Sequence, residues 1–245
     1  MKQIIVFMML TVAMTNYANQ ATNTNDFDYV ADRFADIEVL RYQVPGFEEL
    51  SLQQKRLLFH LSEAALMGRD ILFDQNNRYN LAIRRSLEAI YLHYPGNRDD
   101  VHFIALETYL KRVWFANGIH HHYAEEKFKP DCPANFYAAC IRRSDPAKLP
   151  LRDGQTVDQW LAEITPVIFQ PDIMPKRTVQ STETDPIVAS SNNYYEGDIT
   201  LAEVESFYAK MKTPDDPTPV SYGLNSRLVK TDGQLSEQIW KVGGL

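Results

Sequence analysis

The chain has only two cysteines among its 245 residues, Cys132 and Cys140. That excludes a disulfide-rich scaffold and a four-cysteine zinc site, so any metal would need histidine and carboxylate ligands. There is no excess of basic charge. A formal net charge of -7 argues against a broad phosphate-binding surface, and nucleic acid is not an expected partner. Past the first residues there is no apolar run of membrane length. Repeats and low-complexity segments are absent. So are a Gly-x-Ser-x-Gly nucleophile elbow, a Gly-x-x-x-x-Gly-Lys phosphate loop and a His-Glu-x-x-His zinc helix.

At the front, Lys2 precedes the apolar run Ile4 to Met14, and Ala18 and Ala21 offer small residues for cleavage. This predicts a secretory signal peptide over 1–21, hence a periplasmic or secreted protein with no integral membrane segment once the signal is removed. Residues 22–28 read as a disordered lead, and 29–245 as the folded part. Ser51 to Gln54, Thr156 to Gln159 and Thr200 to Glu203 each have the form of a capping box at a helix start. In the first of these helices, Leu57, Leu58, Leu61, Ala64 and Ala65 form the expected inward stripe, ending at Gly68. Asn80 is expected to cap a helix carrying Ile83, Leu87, Ile90 and Tyr91. Asp99 or Asp100 should cap the next, whose Leu106, Tyr109, Leu110, Val113 and Trp114 face inward. Arg84 and Arg85 are read as solvated or salt-bridged. Seven intervening residues in a predicted helix argue against a bridge from Cys132 to Cys140. Ile187 to Ser190 suggests a short strand, with Asn192 to Tyr195 as amides and phenols for turns or binding. Asp232-Gly233, between Leu224–Lys230 and Leu235–Trp240, is a hairpin signal. The expected class is therefore α+β, a mainly α-helical lobe whose C-terminal β-hairpin would join a small β-sheet or barrel.

The richest stretch runs from Tyr109 to Tyr123 and ends Asn117-Gly118-Ile119-His120-His121-His122-Tyr123. Gly118 is expected just past a helix C-terminus in the left-handed region. In an extended backbone beyond it, His120 and His122 would share one face and His121 the other. With Glu125 or Glu126 these two histidines make a weak candidate metal site. Asn117, His120, His122 and Tyr123 are the candidate substrate-cleft or lobe-contact residues.

This stretch, together with Asp32–Asp36, Leu40–Leu50, Gly68–Gln75 and Pro219–Lys230, resembles the N-terminal part of bacterial dipeptidyl peptidase III, a zinc exopeptidase. The resemblance implies an enzyme that removes dipeptides from the N-termini of short peptides. It implies a zinc-bound water, deprotonated by a glutamate, that attacks the peptide carbonyl in a cleft between two lobes. The family's zinc helix, His-Glu-x-x-x-His, is not in these 245 residues. The expectation is a noncatalytic N-terminal lobe, incomplete at its C-terminus, whose partner is the missing catalytic lobe and which is inactive alone. No catalytic or metal residue is assigned to it. The alternative is an exported binding module for a peptide or protein.

Overall fold

The computed structural model describes residues 27–217 and 225–241. The expected signal over 1–21, most of the expected lead, and Pro219 to Leu224 of the last resembling segment lie outside them. The chain divides into two compact units, 1–49 and 50–245.

In the first unit, β1 (Val30–Phe34) and β2 (Ile37–Leu40) pair antiparallel, with Phe34 opposite Ile37 and Arg33 opposite Glu38. Ala35 takes φ +49° in the two-residue connection. Arg33 and Glu38 meet directly across the ladder, Nε to Oε1 at 2.8 Å, an opposite-charge pair of the kind that sets register. The chain turns at Pro45-Gly46, with Gly46 at φ +84°.

The second unit is built on α1 (Leu52–Met67), α2 (Arg69–Asn76), α3 (Asn80–His93), α4 (Val101–Ala116), α5 (Ala134–Arg143) and α6 (Val157–Phe169). Both halves of the Ser51/Gln54 and Thr156/Gln159 capping boxes form, and Asp100 caps α4 through the amides of His102 and Phe103. One apolar cluster joins Ile83 and Leu87 of α3, Tyr109, Leu110 and Val113 of α4, Tyr137 and Ile141 of α5, and Trp160 and Ile164 of α6. Each such side chain, removed from water, contributes about 1.5–3 kcal/mol. Arg84 is buried beneath this layer. Its Nη1 meets Asp70 at 2.8 Å and its guanidinium lies 4.6 Å from the Phe73 ring centre, so the expected salt-bridged role holds for it. Cys132 and Cys140 are free thiols in the same core. Burial pushes them up to about 12 and about 11, away from the thiolate form.

Several expectations need correction. Asn80 is not a cap but the first helical residue, fully buried, because its amide is needed by neighbouring backbone. Trp114 turns outward, half-exposed, and donates its indole N–H to Glu88 at 2.8 Å. The largest departure is α1. Its cap is as expected, yet none of its residues is buried, so the leucine stripe has no cover among the described residues.

Past α6 come α7 (Pro186–Ala189), β3 (Tyr195–Glu196), α8 (Leu201–Ala209), β4 (Ser226–Thr231) and β5 (Gln234–Ile239). Ile187 to Ala189 is a helical turn rather than a strand, since Asp185 caps it by accepting from the Ile187 and Val188 amides and Pro186 takes its first position. The capping box expected at Thr200/Glu203 starts α8. β4 and β5 form the expected hairpin. Thr231 lies opposite Gln234, and Asp232 and Gly233 both take positive φ, 50° and 77°, as a tight two-residue hairpin requires. The partner strand is β3, parallel to β4 through Tyr195 and Leu228. The unit is thus α+β with a three-stranded mixed sheet, and no closed barrel forms among the described residues. Asp74 of α2 fastens the sheet to the helices. It accepts from Trp240 Nε1 at 2.7 Å and from Asn193 Nδ2 at 3.3 Å. No described helix is long and apolar enough to cross a membrane.

Candidate functional site

The histidine segment begins at the C-terminus of α4. The left-handed residue there is Asn117, at φ +52°, and not Gly118. Gly118 takes φ +146°, and a Cβ on it would lie 2.0 Å from Asn80 Nδ2, so glycine is needed for close approach as well as for backbone shape. Asn80 explains the closeness. Its Nδ2 donates to Phe73 O at 3.1 Å and Asn117 O at 3.4 Å, while its Oδ1 accepts from Ile119 N at 3.1 Å. One amide therefore joins the ends of α2 and α4 to the start of the histidine segment.

The three histidines do not alternate along a strand. His120 pairs with Lys127 in an isolated antiparallel bridge, and the chain then turns tightly, with Glu125 N donating to His121 O at 3.1 Å. The turn brings the His121 and His122 rings together, stacked 4.5 Å apart, whereas the extended reading placed them on opposite faces. His122 lies edge-on to Phe115 at 4.9 Å and packs against Tyr123, which is 84% exposed. His121 Nδ1 accepts from the Tyr123 and Ala124 amides at 3.2 and 3.0 Å, which places its proton on Nε2. His120 is core. Its Nε2 lies 2.9 Å from Met174 O, and since a carbonyl only accepts, Nε2 carries the hydrogen. Its Nδ1 is buried without a partner among the described residues. Burial first, then the nearby Arg177 and Lys127 charges, push His120 down to about 4, although the Met174 bond opposes this.

Of the four candidates, Asn117 is the left-handed end of α4 and His120 is buried, while His122 and Tyr123 form part of an aromatic stack with His121. Glu125 is taken by Arg177, with Nε to Oε2 at 2.8 Å and a second bond between Arg177 Nη2 and Oε1. The arginine holds that carboxyl below its ordinary range. Lys127 Nζ donates to Val167 O at 3.0 Å and also to Gln170 O and Ile173 O, so it closes the C-terminus of α6. In the weak metal set of His120, His122 and Glu125 or Glu126, both Glu125 oxygens are already engaged by Arg177. Among the described residues no three histidine, cysteine or acidic side chains are placed to hold an ion.

Through His120 Nε2 the histidine segment holds Met174, which lines a cleft of about 550 Å³. The opposite border is the 187–200 region, held from below by Asn77 Nδ2 donating to Ser191 O at 2.7 Å. Asp185 links the two helices there, its Oδ1 capping α7 and its Oδ2 accepting from Leu201 N of α8 at 2.9 Å. Four charged residues line this cleft, Arg78, Glu196, Asp198 and Arg227, with the Arg78 guanidinium over the Tyr79 ring at 5.0 Å. Arg227 Nη1 pairs with Glu196 at 2.7 Å and Nη2 bonds Gln238 at 3.2 Å, while Nε is buried with no partner. Sequence reasoning missed these four. They come from three segments of the chain, and only Glu196 and Asp198 are close in sequence.

No protein-family model matches the chain, and no curated protein matches it either.

Proposed function

We propose that residues 29–245 form the N-terminal, mostly helical lobe of an exported enzyme similar to dipeptidyl peptidase III, and that α1 is the face by which it meets a catalytic lobe. The observation that carries this reading is the uncovered helix. Leu57, Leu58 and Leu61 are 58%, 43% and 55% exposed, although their spacing and cap are those of a helix built to pack. A contiguous apolar face of this kind marks an interaction surface. The five resembling segments supply the identity of the partner, and an export signal over 1–21 belongs to the same proposal. Dipeptide release needs zinc ligands and a general base that these 245 residues do not provide. The lobe by itself is therefore a binding half, whose short peptide substrates would reach it only beside its partner.

Two measurements test this. The purified chain, supplied with zinc and a dipeptidyl arylamide, is expected to release no amine above the blank; release that a chelator abolishes would contradict the proposal. The chain should also bind an environment-sensitive apolar dye, and the pair Leu58→Ser and Leu61→Ser should cut that signal by about half. Stability should then change by less than about 0.5 kcal/mol, as for surface positions. A loss of about 2 kcal/mol or more would mean the face is packed in solution. The second reading, a noncatalytic exported module that holds a peptide or protein, has the charged cleft in its favour and the uncovered α1 against it.

A further inference from the structure

We infer that residues 173–177 form a strained strap that holds one border of the cleft in place, and that protonation of His120 releases it. The device lies within this chain and stands whether or not the chain meets a catalytic lobe. The strap is bonded on both sides. On one side it pairs with the turn after the histidines: Lys127 N donates to Pro175 O at 2.9 Å, Arg177 N donates to Glu125 O at 2.8 Å, and Glu126 and Lys176 form an isolated bridge between them. On the other side Arg177 O accepts from Ser191 N at 3.1 Å and from Asn192 N at 3.0 Å, and both of those residues line the cleft with Met174. Freeing the strap therefore loosens Met174 and its neighbours at 191–192 together. Met174 is strained: it takes φ +53° although it is not glycine, and it stands directly before Pro175, where extended backbone is favoured. Glu125, on the paired segment, takes φ +65°. Such residues keep their shape only where surrounding bonds over-determine it, and they gather at clamps and switches. For Met174 the bonds can be named. Its carbonyl accepts from His120 Nε2 at 2.9 Å, its sulfur accepts from Asn77 Nδ2 at 3.2 Å, and the carbonyl before it, Ile173 O, accepts from Lys127 Nζ. Of these holders only His120 changes charge as pH falls from neutral. The closed strap has no place for that charge. The ring is 2% exposed, and its Nδ1, which would become a donor, has no acceptor among the described residues. Arg177 of the strap and Lys127 of the turn repel a cation there, while Glu125 attracts one but is already bonded by Arg177. Farther out, Lys176 pairs with Glu126 at 3.8 Å and Asp172 lies near Lys127. The protonated ring reaches water only by leaving Met174 O, and the strap then relaxes.

Amide hydrogen exchange on the full chain tests this. The amides of Lys127, Arg177, Ser191 and Asn192 should exchange through a local opening, faster than those of Leu87 in α3 and Leu110 in α4 and unaffected by dilute urea, while the two leucines follow global unfolding. His120 ionises near 6.5 when exposed and is pushed down to about 4 when the strap is closed. The closed state is therefore favoured above about pH 6.5 and loses ground below it, so the opening constant should rise about tenfold from pH 7.5 to 5.5, after correction for intrinsic exchange rates. His120→Gln, which can still donate to Met174 O but takes no proton in this range, should remove that rise. The Met174 methyl signal in NMR reads the same step in the unaltered protein, and it should move with falling pH while the Leu87 and Leu110 amides stay protected. The proposal is overturned if the strap amides exchange only together with the core, if their opening or the Met174 signal does not respond as pH falls, or if the opening rises equally in His120→Gln.

Discussion

Replacing Asn80 with leucine is expected to lower stability by about 4 kcal/mol, read as a shift in urea midpoint with an unchanged slope. The side chain is fully buried and similar in size to leucine, so the loss would not come from a cavity. It would come from three backbone groups left behind: the Phe73 and Asn117 carbonyls and the Ile119 amide. Each buried polar group that loses its partner costs about 1–3 kcal/mol. Asn117 O keeps its bond from Asn76 Nδ2 at 3.0 Å and Phe73 O its bond from Asn77 N at 3.3 Å, so only the Ile119 amide loses its partner outright and the total should fall below the sum of three full penalties. Gly118→Ala should destabilise the same junction, because a Cβ there meets the Asn80 amide. The double variant Asn80→Ala with Gly118→Ala should then lose less than the two single losses together, since the first change removes the obstacle to the second. A loss below about 1 kcal/mol for Asn80→Leu would show that the junction is held by other contacts.

The second large effect is on acid stability. His120 ionises near 6.5 when unfolded and is pushed down to about 4 in the fold. Between those values the unfolded chain binds a proton that the folded chain does not. The contribution of a neutral His120 is therefore fully present above about pH 6.5 and is lost as pH falls towards 4, by about 3 kcal/mol in all. The charged groups around it are Arg177 and Lys127, which oppose a further positive charge, and Glu125, which favours one. Glu125 is itself held low by Arg177, so the loss of that pair on acidification begins near the ordinary carboxylate value, at the lower end of the histidine window, and continues below it. Unfolding free energy measured from pH 7.5 to 4 should slope downward with falling pH, and His120→Gln should flatten that slope. The glutamine amide can still donate to Met174 O. An unchanged slope in the variant would mean that His120 titrates near its ordinary value and that its ring reaches water.

How much of this was legible beforehand differs by element. The three capping boxes and the Asp232-Gly233 hairpin were readable because each is set by bonds among residues close in sequence. The inward stripes of α3 and most of α4 were readable because helical period alone decides which side chains share a face. Trp114 departed from its stripe through one indole bond to Glu88, a partner 26 residues away. Directions within the histidine segment were not legible, because an extended period was assumed where a tight turn forms. That turn depends on Arg177 N donating to Glu125 O at 2.8 Å, a contact 52 residues distant.

The sequence by itself determined the α+β class, the main helix starts and the last hairpin, since these follow from local geometry and from apolar period. Tertiary structure alone decided that His120 is buried while His122 is not, that Asn80 serves three backbone groups, and that Arg78 and Asp198 line one cleft. It also decided that α1 lacks a cover among the described residues. An amphipathic period says which face of a helix is apolar; whether that face is buried depends on what else is packed against it, and pairings of this kind leave no spacing in the chain to be read.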